Sequence, residues 1–435
     1  MNPNHTPVTL ENLGLNLPRL LIPRPNISLK EWAIIACDQF TSEPEVWNQL
    51  HNQIGSKPST LHCILPECFL GKPDQEDRIH RLHRTMEQYV QEGIILETEP
   101  GIMLVERTTP FAQRRGVLLA LDLENYDFSL EAKPLIRPTE QTVMERLPPR
   151  LKIRKGALLE FPHTLVLVND RNHPVIDPLF TFVQGQKPTY ETDLLLEAGS
   201  LRGWFLPAFQ VEHLLKTQLE KNFDKESFLY AVGDGNHSLA AAKLHWEEIK
   251  ANSSLPNLQH PARYTLVEVI SLYNPGIRFE PIHRIVTPAS VPGFLSLLHN
   301  TAEVQVHPES SFEALQRWVM KSSKKEFVFG ISSQTSHYGI KILHPKDPTP
   351  IETAQKVLDL YCHEHAEAKI DYIHGEQTFV SLTRQEMVLG VFLPPFPKEH
   401  LFPYIEQQGI LPRKAFSIGE ALEKRFYLEG RRIRP

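Results

Sequence analysis

The chain has 435 residues, 41% of them hydrophobic, and a mean hydropathy of -0.29, enough for two or three soluble domains. Its 46 lysines and arginines against 52 acids leave a net charge of -6, which argues against a nucleic-acid partner because phosphate binding needs an excess of cations. Cys37, Cys63, Cys68 and Cys362 form no CxxC pair, no apolar run reaches membrane-spanning length, and MNPNHTPVTL lacks a basic region followed by an apolar one. Disulfide frameworks, zinc knuckles and membrane anchors are therefore set aside, and a cytoplasmic protein is expected.

EWAIIA (31–36) reads as a short buried strand, and DQFTSEPEVWNQL then opens a helix. Ser42 and Glu45 stand in capping-box spacing there, with Pro44 in the first turn. STLHCIL (59–65) is strand-like, and a polar helix runs from Glu76 to Gln91 before Gly93. Strands follow at 101–107, 116–123 and 158–168, then an amphipathic helix from Pro207 to Lys221. RYTLVEVISL (263–272) is a strand. Helices near 291–299, 311–321 and 352–365 then alternate with the strands VQVH, EFVFGISS, YGIKIL and MVLGVFLP. Strands and helices interleave without the rhythm of a doubly wound sheet, so the class is mixed α/β (α+β). A soft boundary in 285–292 divides a first domain, 1–288, from a C-terminal α/β portion, 289–435.

One stretch is built unlike a plain connection. FLYAV runs into Gly233-Asp234-Gly235-Asn236-His237-Ser238, and the helix formers Leu239 to Leu244 follow at once. A helix start offers unpaired N–H groups and a positive dipole end, and glycines before it let a ligand approach the backbone. Gly233 and Gly235 would give that access, the amides of Asn236 and its neighbours would face a phosphate, His237 would donate to it, and Ser238 would cap or add a hydroxyl. Asp234 sits badly beside a phosphate unless a metal or a substrate proton intervenes, so it is the better candidate for chemistry and for a Mg²⁺ ion. The plainer reading is a helix N-cap, Asp234 or Asn236, after a glycine turn.

The DGxH-helix pattern resembles the phosphate-binding turn of the ParB/sulfiredoxin superfamily. ACDQFTSEPEVW, STLHCILPE, IRPTEQTVMERLPPRLKIRKGALLEFPH, HPARYTLVEV, EPIHRIV, DYIHGE and LPRKAFSIGEA together resemble the bacterial family known as domain of unknown function 1015, from about Cys37 to Tyr427. The resemblance implies a ParB/sulfiredoxin-like phosphate-binding core and the handling of ATP, ADP or CTP, with free-serine kinases and sulfiredoxin as enzymatic relatives in fold. It departs at Ser238, where the usual motif has an arginine, so another cation must serve.

Within this frame IRPTEQT (136–142) resembles the family's R-x-H-E-x-T signature, with Arg137 as a fork for phosphate or carboxylate and Glu140 as a general base. Arg146, Arg150, Lys152, Arg154 and Lys155 follow, interrupted by Pro148 and Pro149; they read as a solvated face or as a loop able to close over an anion. His283 and Arg284 in PIHR, His374 and Glu376 in DYIHGEQ, and Asp38 in ACDQF are further lining candidates. Arg413 and Lys414 resemble the family's C-terminal P-x-K segment and are expected beside the site. His363 and His365 are two apart on a helix and face different ways, so zinc is rejected.

The expected function is Mg²⁺-dependent phosphoryl transfer from ATP or ADP to a small hydroxyl metabolite such as serine. The same residues would serve a phosphatase of a phosphoserine-like monoester, or a non-catalytic nucleotide-binding regulator. A sulfiredoxin-like reductase fails because 233–238 holds no cysteine. Absent a helix-turn-helix, DNA is not expected as a partner.

Overall fold

The computed structural model describes residues 9–129, 131–172, 174–222, 228–252 and 259–435; the N-terminal stretch read for a leader lies mostly outside them. The fold is mixed α/β. The chain divides into two compact units, one of 1–278 with 418–435, the other of 279–417. The expected cut at 288/289 lies within the second unit.

The first unit is built on a ten-stranded sheet. Its centre is the antiparallel pair Ile95–Thr108 and Gln113–Asp122, whose apolar runs are buried on both faces. Tyr264–Ser271 lies antiparallel to Gln113–Asp122 and parallel to Leu165–Val168. Leu165–Val168 in turn lies antiparallel to Tyr230–Asp234, and the short strand Ile136–Pro138 runs parallel to Tyr230–Asp234 at the sheet edge. One apolar cluster gathers Trp32, Trp47, Leu118 and Tyr427, and another gathers Val117, Val166, Tyr230 and Trp246.

The C-terminal segment is stitched into this unit at several points. Phe426–Tyr427 pairs with Ile34–Ile35, Arg431–Arg432 with Leu159–Glu160, and Gly430 with Leu21. The second unit is an antiparallel sheet in the order Val304–Glu309, His337–Ile342, Val328–Ser332, Leu389–Phe392, Phe279–Thr287, Lys369–His374. Its helices start where expected: Ser290 and Ser311 cap two of them, and Thr349 with Glu352 forms a capping box before a third.

Several elements differ from the sequence reading, each for a local reason. STLHCIL forms a 3-10 turn, Thr60–Cys63, because the Ser59 hydroxyl accepts from Leu61 N–H and closes the turn. In EWAIIA a helical turn, Leu29–Trp32, precedes a two-residue strand. The helix Pro44–Ile54 begins at Pro44, but Glu43 precedes it and no side chain caps it, so the Ser42–Glu45 box does not form. The 158–168 run breaks into Leu159–Glu160 and Leu165–Val168 around Pro162, which has no N–H for a ladder. The basic run expected as a loop is the helix Leu147–Arg154, with its prolines in the first turn, where a missing N–H costs nothing.

Candidate functional site

The strand Tyr230–Asp234 feeds the helix Asn236–Asn252, here called the motif helix. Between Val232 and Asp234 the register against Leu165–Val168 slips by one residue, a bulge at Gly233 that re-aims Asp234. A Cβ on Gly233 would stand 2.6 Å from Ile418 Cδ1, so a larger residue there would push the end of that side chain aside. Gly235 has φ +79° and would bring a Cβ to 2.8 Å from Thr164 Oγ1. Gly235 is thus required by backbone conformation and by packing against Thr164, whatever it offers a ligand.

Leu239 N–H bonds Gly235 O at 3.0 Å, which makes Gly235 the residue before the helix and leaves the N–H groups of Asn236 and Ser238 without carbonyls of their own helix. Neither Asp234 nor Asn236 is the N-cap. Leu239, Ala240, Ala241, Ala242 and Trp246 are all buried, and the three small alanines let the helix sink into the unit. Asn236 is 6% exposed, and its Oδ1 has no hydrogen-bond partner among the described residues. His237 Nε2 accepts from Val143 N–H at 3.1 Å, so it is turned toward the 139–146 loop, and the donor expected of that nitrogen is not available.

Asp234 holds Lys424: Oδ2 lies 3.0 Å from Nζ, while Oδ1 accepts from Gly235 N–H at 3.0 Å. Lys424 Nζ also donates to Ile418 O at 3.0 Å. Among the described residues no group of three His, Cys, Asp or Glu side chains could hold a metal ion. With both oxygens of Asp234 engaged and an ammonium already beside it, the residues here do not fit the expected resident Mg²⁺; Lys424 supplies the cation instead.

Asp38 joins the same network. Burial opposes its ionisation, but the charge of His163, a hydrogen bond from Gln39 (2.9 Å) and the charge of Lys424 outweigh it and hold the carboxyl below its usual range. The Tyr427 phenol is pushed up by burial and by the neighbouring Cys37 and Asp38, so it stays protonated. Its oxygen accepts from Cys37 N–H at 3.1 Å and lies in hydrogen-bond contact with His163 Nδ1 at 2.7 Å.

His163 and Tyr427 line a cavity of about 130 Å³, together with Ser238 and Ala241 of the motif helix and Arg150 and Arg154 of the neighbouring one. Its remaining walls are largely apolar, including Leu65, Met86, Ile153 and Phe161. Arg150 pairs with Glu67 and donates to Arg146 O at 2.6 Å.

Glu140 and Asp234 lie toward the same end of two paired strands, each two residues past the register partners Pro138 and Val232. The buried Thr139 hydroxyl donates to Val232 O at 2.8 Å and fixes that loop. Arg137 stacks on Phe228, 4.3 Å from ring centroid, and donates to Pro134 O at 3.1 Å.

His283, Arg284, His374, Glu376, Arg413 and Lys414 belong to the second unit. His283 is 1% exposed, accepts from Leu393 N–H at 3.1 Å and stacks on Phe392; burial, then the charges of Arg284 and His374, push it down to about 3. Arg284 is buried, donates to Gln355 and to the Ile282 and Arg413 carbonyls, and is pushed down to about 10, chiefly by burial. Both are packed within their own sheet. Arg413 lies over Tyr372, and Glu376 accepts from Gln316 at 2.5 Å.

Lys424, His163 and Tyr427 were not singled out from the sequence as site residues, and Arg154 stood there only as one charge of the basic run. The available signal was the terminal EKRFYLEGRRIR, where charges interleave with Phe426, Tyr427 and Leu428.

A family model described as "Protein of unknown function (DUF1015)" matches residues 21–361. The chain belongs to this family. The DUF1015 match takes in the motif strand and helix, Asp38, His163, Arg154 and most of the second unit, and ends before Lys424. Among solved structures, a conserved hypothetical protein from Pyrococcus furiosus is 12% identical with a TM-score of 0.37, covering 73% of this chain and 95% of that one. A free serine kinase in complex with AMP is 12% identical with a TM-score of 0.40, over 73% and 92%. SbnI with a C-terminal truncation, from Staphylococcus aureus, is 11% identical with a TM-score of 0.36, over 72% and 85%. Likenesses of this size decide nothing about chemistry. No curated protein matches the chain. Among the described residues no helix is long and apolar enough to cross a membrane.

Proposed function

We propose that the first unit binds a phosphoryl group at the start of the motif helix and transfers it between a nucleotide and a small hydroxyl-bearing metabolite in the cytoplasm. The observation that carries this is Ser238. It stands in the first turn, where N–H groups have no carbonyl of their own helix to bond, and it lines a cavity whose wall also carries Arg150. The resemblance of Asp234-Gly235-Asn236-His237 to a ParB/sulfiredoxin phosphate turn supports the same end of the helix.

Phosphoryl transfer asks mainly for positioning and charge neutralisation. Lys424, held by Asp234, is a cation at the turn and takes the role of the arginine that the motif lacks at Ser238. Asp38, kept ionised, accepts the proton of the metabolite hydroxyl, with Glu140 as the second carboxylate for that step. The hydroxyl oxygen forms its bond to phosphorus as the bond from phosphorus to the nucleotide's bridging oxygen breaks, and the departing nucleotide, one phosphoryl group shorter, keeps the electron pair on that oxygen. Hydrolysis of a small phosphate monoester is the second reading. The cavity volume favours it, because about 130 Å³ holds a compact metabolite and not a nucleotide.

The test is a turnover screen of the purified chain. ATP, ADP and CTP are offered with small hydroxy acids and amino acids, and phosphate monoesters are offered without nucleotide, all with Mg²⁺ or Mn²⁺ added. Product from nucleotide only supports transfer, and phosphate release from esters alone supports hydrolysis. Silence in both panels with tight nucleotide binding would leave a regulator instead.

A further inference from the structure

Arg154 carries an observation that phosphoryl transfer does not use. It closes the helix Leu147–Arg154 and lines the cavity. Its Nη1 pairs with Glu160 at 2.7 Å. Its Nε and Nη2 are buried with no hydrogen-bond partner among the described residues. In a planar guanidinium those two N–H groups leave from one edge in parallel, the geometry that receives both oxygens of a single carboxylate. Leaving a buried charged donor without an acceptor is destabilising, so the edge is shaped for something the protein chain does not itself provide.

Glu160 does not fill that place. Its oxygens are held by Arg431 at 2.9 Å, by Leu266 N–H at 2.8 Å and by the Thr265 hydroxyl at 3.1 Å. The other acid on the cavity wall, Glu67, is paired with Arg150. An ammonium group therefore finds no uncommitted carboxylate on this wall, whereas an anion finds an open arginine edge. Leu65, Met86, Ile153 and Phe161 ask for an apolar body on the ligand. Size sets the limit: an apolar cavity of about 150 Å³ takes the six heavy atoms of a benzene ring, so about 130 Å³ takes roughly five or six.

We propose that the cavity selects a short-chain hydroxycarboxylate, its carboxylate on the Nε/Nη2 edge of Arg154, its alkyl body on Met86 and Ile153, and its hydroxyl or phosphate ester directed to Ser238. The phosphoryl end rests on the reading above; the carboxylate end stands on Arg154 alone.

The experiment is calorimetry on the full chain with lactate and glycolate, the methyl ester of each, and inorganic phosphate. The free acids are expected to bind roughly tenfold to a hundredfold more tightly than their esters, the factor for leaving a buried charged donor unsatisfied. In Arg154→Gln that difference disappears while inorganic phosphate binds as before. Equal binding of acid and ester by the unaltered protein overturns the inference without recourse to any variant. Binding of inorganic phosphate with no binding of either acid also overturns it and leaves the phosphoryl reading standing. Arg154-dependent binding of the acids with none of phosphate keeps the carboxylate site and removes the phosphoryl reading.

Discussion

Lys424 makes the difference between Asp234 as a metal ligand and Asp234 as the anchor of a protein cation. The ammonium lies within hydrogen-bond reach of Asp234 and its charge also lowers Asp38. For Asp38 the sign is set by a depressed folded pKa: its contribution to stability is fully present above the ordinary value of 3.8 and is lost as pH falls through the lower folded value. Lys424→Met removes one of the depressing charges, so the Asp38 titration followed by NMR should move upward, and the stability lost from this group on the acid side should be smaller and complete at a higher pH. An unchanged Asp38 titration would separate the two residues and break the network. Turnover should fall as well, since the variant lacks the cation held at the turn by Asp234.

At the scale of elements, the turn from Tyr230–Asp234 into the motif helix depends on two glycines for different reasons. Gly233 sits in a bulge that brings its backbone against Ile418, and Gly235 adopts a left-handed conformation against Thr164. Gly235→Ala adds conformational strain of about 1–2 kcal/mol and, with Thr164 Oγ1 at 2.8 Å and Cα at 2.9 Å from the new Cβ, a steric cost on top. The urea unfolding midpoint should therefore drop by the equivalent of more than about 2 kcal/mol. A loss well under about 1 kcal/mol would mean that the turn relaxes freely and that its shape is not fixed by packing. The helix Leu147–Arg154 is the complementary case, since Pro148 and Pro149 look like breakers in a list of residues and act as starters in place.

At the scale of the whole chain, the C-terminal segment completes the first unit with charges rather than with apolar area alone. Arg425 lies between Glu268 at 2.5 Å and Glu429 at 2.7 Å, all three side chains at most 2% exposed. Removing one partner of a buried ion pair leaves an uncompensated charge and costs about 3–5 kcal/mol. Arg425→Met should lower the stability of the first unit by that amount in denaturant, and adding Glu429→Gln should recover part of it. A loss below about 1 kcal/mol, or no recovery, would show that water reaches these groups.

The sequence by itself determined the mixed class, the apolar central strands, the helices near 291–299, 311–321 and 352–365 and the one turn worth attention, because periodicity and glycine placement act over a few neighbouring residues. Asp38 was also legible, as a polar residue directly after an apolar run. Only the tertiary structure decided who meets whom. Lys424 reaches Asp234 across 190 positions, and Tyr427 reaches His163 across 264. Arg154 turns from one charge in a basic run into a buried edge facing a cavity. Such meetings depend on strand order and on where the C-terminal segment docks, and these follow from burial summed over the whole unit, which local pattern does not encode.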